Sequence, residues 1–105
     1  MGNKETSEYP ITLDKPRTLK LDFNAFCDAE GVVGHTVIRT DLGMSEIRAL
    51  LWAGLKHEDR TLTVAKVGEM ISGKDLQPVM EVVTTAVAEF FATGEEEGTG
   101  ATPTG

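Results

Sequence analysis

The spacing of hydrophobic positions changes along this chain from strand-like alternation to helical repeats. From residue 9 to residue 23 the pattern alternates. Ile11 and Leu13 sit among polar neighbours, and Leu19, Leu21 and Phe23 do the same after a break at Asp14-Lys15-Pro16-Arg17. Alternation is the mark of half-buried strands, so this stretch predicts a β-hairpin. Pro16 pre-sets φ for a turn, and the Asp14 carboxylate can bond the turn backbone. A lone hairpin is marginal in water, so its apolar face must rest on helices.

Those helices follow. Asn24 can cap a short helix over residues 25–30, with Gly31 placed to end it. Residues 32–40 mix β-prone Val32, Val33, Val37 and Ile38 with Gly34, and read as a loop or irregular connection. Ser45 can cap the next helix, with Glu46 in its electropositive first turn. Ile47, Leu50, Leu51, Gly54 and Leu55 then recur at helical spacing as one apolar stripe. Thr63 caps a third helix running to about residue 72, with Leu62 and Val67 spaced as a hydrophobic staple and Gly73 as its terminator. Asp75 caps the last helix, where Pro78 falls in the first turn and needs no hydrogen-bonded N–H. Its apolar positions, from Leu76 and Val79 to Phe90 and Phe91, cover an arc of roughly 120°, with Glu81, Thr85 and Glu89 opposite. After Ala92 no large apolar residue remains, and such a segment cannot offset the entropy of ordering. The fold expected is therefore α+β: an N-terminal β-hairpin packed on a small bundle of about four helices. It occupies residues 9–92, between a flexible N-terminus (1–8) and a disordered acidic, Gly/Thr-rich C-terminal tail (93–105).

Composition narrows the function classes. A chain of 105 residues is one domain by size. Its single cysteine, Cys27, allows no internal disulfide and fits a reducing cytosol. No run approaches the roughly 20 apolar residues of a membrane span, and the polar first residues do not read as a signal peptide. A net charge of −7, from 17 acidic and 10 basic residues, disfavours nucleic-acid binding, which draws its affinity from Lys and Arg on phosphates. Lys15, Arg17 and Lys20 form the one local basic cluster.

Candidate chemistry is thin. His35, His57, Glu58 and Asp59 match no common metal-ligand spacing, and the run at 57–59 reads as a helix-end charge cluster. Cys27 lacks a motif placing a base beside it and reads as a small, half-buried hydrophobe. No glycine pattern matches a phosphate loop. No catalytic residue, cofactor or metal is therefore expected. Trp52 stands apart. It lies about 140° from the centre of the Ile47–Gly54 stripe on a helical wheel, flanked by Arg48, Ala49, Ala53 and Lys56. Either the helix is central and Trp52 packs on the hairpin or first helix, or these five residues form a contact surface, since Trp and Arg are typical binding anchors.

The segments ITL…TLKLDFNAFCDAEG and IRALLWAGLKHEDRTLTVAKVGEMI, followed by a hydrophobic last helix, resemble the tail assembly chaperones of long-tailed bacteriophages. The nearest likeness is to the branch also labelled gene-transfer-agent or phage tail-tube accessory proteins. The resemblance spans residues 11–92 and is sharpest at Leu50-Leu51-Trp52-Ala53-Gly54-Leu55 with His57-Glu58-Asp59; residues 32–42 fit the family pattern less well. It implies a non-enzymatic role in the host bacterial cytoplasm. Such chaperones bind the tail tape-measure protein and keep it soluble until tail tube protein polymerises around it. They are absent from the finished virion. The resemblance also implies contacts with the tube protein, with another copy of the chain, or with a longer form made by frameshifting near the gene's end. Two alternatives stay open: a structural tail component retained in the particle, such as a tube or connector subunit, and a small regulatory or enzymatic domain using His57 and Glu58.

Overall fold

The computed structural model describes residues 7–37 and 41–101, with side chains as far as Ala92. The fold is α+β. Two antiparallel strands, β1 (Glu8–Thr12) and β2 (Pro16–Lys20), precede four helices: α1 (Phe23–Val33), α2 (Met44–Leu55), α3 (Val64–Glu69) and α4 (Leu76–Ala101). A single 3₁₀ turn, Gly73–Asp75, leads into α4.

The hairpin register pairs Tyr9 with Leu19 and Ile11 with Arg17, so these four residues share the inward face. Arg17 is thus a buried cation, and the Asp14 carboxylate takes two hydrogen bonds from its guanidinium, at 2.8 and 2.9 Å. Those bonds hold the Asp14 carboxyl below the usual carboxylate range. The turn acid therefore neutralises the buried arginine.

Helix α2 is the centre of the molecule. It packs on α1, β2, α3 and α4. Eight of its twelve residues are buried, including Ile47, Leu50, Leu51 and Leu55. Where α2 crosses β2, Gly54 lets the backbones approach. A Cβ built there would lie 2.5 Å from the Leu19 Cδ1 and 3.1 Å from the Leu21 Cδ2. Helix α4 closes the other side with Val79, Val83, Ala86 and Val87. Its Phe90 ring meets Phe26 of α1, with centroids 4.7 Å apart and planes tilted by 52°. Leu62 and Val67, at staple spacing around the α3 cap, are both buried.

Several local expectations shift by a few residues. Phe23 does not extend the strand pattern: it opens α1 and is 64% exposed. The cap of α1 is Asp22 rather than Asn24, because the Asp22 carboxylate is the group that reaches the Ala25 N–H (2.9 Å). Gly31 lies inside that helix, and the terminator is Gly34, whose φ of +84° suits a glycine and whose N–H donates to the Glu30 carbonyl. Residues 31–33 are therefore helical, not loop, while 38–40 lie outside the described residues. Helix α2 is capped at Gly43 rather than Ser45, since Glu46 reaches back to accept the Gly43 N–H at 2.6 Å. Helix α3 is shorter than expected and ends at Glu69, although Thr63 caps it as expected, its hydroxyl accepting from the Lys66 N–H. Asp75 closes the 3₁₀ turn, accepting from the Ser72 hydroxyl, instead of capping α4. Pro78 does fall in the first turn of α4. The backbone of α4 is described to Ala101, and its packed part ends before the expected tail. Residues 1–6 and 102–105 of the expected flexible ends lie outside the described residues.

Tyr9 joins the hairpin to α4. Its hydroxyl donates to the Glu89 carboxylate at 2.6 Å, and burial, reinforced by that carboxylate, pushes its pKa well above the ordinary phenol value. An unfolded tyrosine ionises near pH ~10, so this contribution is complete below that pH and is lost as pH rises beyond it. Tyr9 is the only tyrosine. Expected on alkaline titration is late appearance of phenolate absorbance together with falling thermal stability, and Tyr9→Phe should flatten that fall.

Candidate functional site

The end of α2 and the loop after it build a concave surface that holds the tryptophan. Asp59 orders this loop. Its Oδ1 accepts from both the Thr61 N–H (2.9 Å) and the Thr61 hydroxyl (2.6 Å), which keeps the Asp59 carboxyl below its ordinary range. The loop then presents the Leu62 carbonyl to Trp52, whose indole N–H donates to it at 3.2 Å. On the other side the Lys56 ammonium lies 4.8 Å from the indole centroid and pairs with Asp28 of α1 at 2.5 Å. The ring is thus fixed at its edge and over its face, yet stays half-buried. It borders a cleft of about 470 Å³ between β2, α1 and the α2–α3 loop. Lys20, Lys56 and Arg60 supply positive charge to the walls, Asp22 and Asp28 negative.

The five candidate contact residues do not stay together. Trp52 and Lys56 line the cleft, and Ala53, though buried, forms part of its floor. Ala49 is fully enclosed and offers nothing to a partner in this conformation. Arg48 lies on the opposite flank. Its aliphatic stem passes over Gly68 of α3, where an added Cβ would meet the Arg48 Cδ at 3.1 Å. There it borders a separate groove of about 340 Å³ with Met44, Ile71 and Leu76. Sequence reasoning missed Lys20, Asp28, Arg60 and Leu62. Lys20 carries a faint signal, as the outward position after Leu19; the others come from the tertiary arrangement.

His57 and Glu58 have a structural task. In the antiparallel register, Pro10 and Thr18 form a non-hydrogen-bonded pair, so the Thr18 N–H and C=O point away from β1. Glu58 accepts the Thr18 N–H at 3.0 Å, and His57 Nε2 donates to the Thr18 carbonyl at 2.9 Å. The pair closes the outer edge of β2 at the point where Pro10 faces it across the hairpin. His57→Ala or Glu58→Ala should each cost about 1 kcal/mol, the usual net value of a hydrogen bond. In Glu58→Ala the Thr18 amide should exchange with solvent faster.

The other histidine sits at the opposite, N-terminal end of α2. His35 Nε2 lies 2.7 Å from Glu46 Oε2, and the buried Glu46 serves α2 as its N-terminal acceptor. Cys27 is exposed on α1, not half-buried, because it falls on the helix face opposite Ala25, Phe26 and Ala29. Among the described residues no three His, Cys, Asp or Glu side chains converge as a metal site. No helix among them is long and apolar enough to cross a membrane. No family model, curated protein or solved structure matches this chain.

Proposed function

We propose that this protein is a non-catalytic assembly factor: a tail assembly chaperone of a phage or prophage that binds the tape-measure protein stoichiometrically in the host cytoplasm. The specific role rests on the resemblance of residues 11–92. The observation that favours binding over catalysis is the state of Trp52. The only tryptophan is held by the Leu62 carbonyl and by Lys56, in the wall of a cleft, and is only half-buried. A large aromatic ordered before the partner arrives loses little entropy on binding, which is how anchors work. The groups that could have served an enzyme, His57 and Glu58, are engaged with the backbone of β2.

Co-expression with the tape-measure protein of the same phage or prophage genome is the direct test. The expected result is a soluble complex of the two, where the tape-measure protein alone aggregates. Purified virions should lack this chain. Its presence there in stoichiometric amount would instead support a structural tail component. Activity or metal dependence lost in folded His57→Ala would support the enzymatic alternative.

A further inference from the structure

The charges around the Trp52 cleft are unequally engaged. Both carboxylates in its wall are committed within the chain. Asp22 caps α1 through the Ala25 N–H, and Asp28 pairs with Lys56. His57 is likewise bonded, to the Thr18 carbonyl. Lys20 and Arg60 are not: among the described residues neither side chain has an ion pair or hydrogen bond, and both border the cleft. A chain with a net charge of −7 therefore shows, beside its one tryptophan, a recess of three cations against two carboxylates, in which two of the cations have no partner within the chain among the described residues.

We infer that this cleft receives an acidic amphipathic segment of the partner, with an apolar side chain against the half-buried Trp52 and carboxylates on Lys20 and Arg60. The inference rests on the proposed binding role and specifies the chemistry of what is bound. Charge complementarity selects this occupant. A basic segment would meet the three cations Lys20, Lys56 and Arg60 and only two carboxylates, each already engaged through one oxygen. A purely apolar segment would leave Lys20 and Arg60 desolvated and unpaired. Nucleic acid would bring a continuous run of phosphates to a protein of net charge −7, whereas a short segment need place only two carboxylates in the recess. Opposite charges on partner and cleft also raise the encounter rate, in a salt-dependent way.

The test uses the full chain and two synthetic helical peptides, one built from Glu and Leu, the other with Gln at every Glu position. Binding is followed by the emission of Trp52 and by the anisotropy of labelled peptide. Expected are a change in Trp52 emission with the Glu peptide, affinity at least tenfold weaker for the Gln peptide, and similar weakening by added salt. The Lys20→Glu/Arg60→Glu double variant should lose at least tenfold in affinity for the Glu peptide. The milder Lys20→Gln/Arg60→Gln variant serves if charge reversal disturbs folding, as judged by circular dichroism. Equal binding of both peptides, unchanged affinity in the variants, or preference for a single-stranded oligonucleotide would overturn the inference. So would self-association that vanishes in the double variant, because the occupant would then be a second copy. Co-expression keeps the two readings apart. If wild type and double variant solubilise the tape-measure protein equally, the chaperone reading stands and the acidic-segment inference fails. If neither does so, the chaperone reading fails, and the peptide titration still decides the chemistry of the cleft.

Discussion

Gly54→Val should destabilise the protein by about 3 kcal/mol, the upper part of the range for overpacking a core. For a chain of this size that corresponds to a fall in Tm of about 15 °C. Helix propensity alone points the other way, since glycine is the poorest helix former after proline and its replacement by alanine gains up to about 1 kcal/mol. Packing decides the sign. The new Cβ would lie 2.5 Å from the Leu19 Cδ1 and 3.1 Å from both the Leu19 Cγ and the Leu21 Cδ2. Leu19 and Leu21 are themselves buried and have nowhere to turn. The methyl arms of valine would force α2 off β2, and the two bonds from His57 and Glu58 to Thr18 would stretch with it. Gly31→Ala is the matched control. That glycine lies in α1, exposed, with nothing within 4 Å of an added Cβ, so propensity acts unopposed and a gain of about 0.5–1 kcal/mol is expected. Urea unfolding of the three proteins, followed by circular dichroism, checks both signs. Equal stabilisation by the two substitutions would mean that α2 does not approach β2 so closely.

The contrast between these glycines also marks what was legible in the chain. Periodicity located the hairpin and the helices, because a period of two or of 3.6 is imposed by backbone geometry alone. The caps were harder. Asp22 and Asn24 are both good caps, and so are Ser45 and the Gly43–Glu46 pairing. Which one acts depends on where the chain leaves its previous element: Leu21 is held under α2, so the helix can begin at Phe23. A single apolar stripe is too narrow a description of α2 because it treats the helix as peripheral. With neighbours on four sides, Ala49 and Ala53 are buried too, and Trp52 is left as the edge of the core rather than the middle of an exposed face. The engagement of His57 and Glu58 was out of reach for a different reason. Their partner is the backbone of Thr18, about 40 positions earlier, and a backbone acceptor or donor leaves no mark on the sequence.

Trp52→Ala should cost stability and, on the proposed function, partner binding, and the two losses can be separated. The indole is half-buried and its N–H is bonded, so truncation removes apolar cover from the α2–α3 loop and frees the Leu62 carbonyl. A loss of about 2 kcal/mol in stability is expected, below the 3–5 typical of a fully buried aromatic. If Trp52 is the anchor of partner binding, affinity should fall by a further factor of about 30 or more, the hot-spot range. Trp52→Phe divides the effects. Phenylalanine keeps an aromatic face toward the cleft but cannot donate to Leu62, so its stability should fall by about 1 kcal/mol while much of the binding survives. Stability is read by circular dichroism, since both variants lack the tryptophan signal. Binding is read by co-expression and by peptide anisotropy at a temperature where each variant is shown to be folded. A folded Trp52→Ala that still solubilises the tape-measure protein in full would remove Trp52 from the interface. The indole would then be a device for fixing the loop that follows α2, and the cleft beside it would lose its claim as the contact surface.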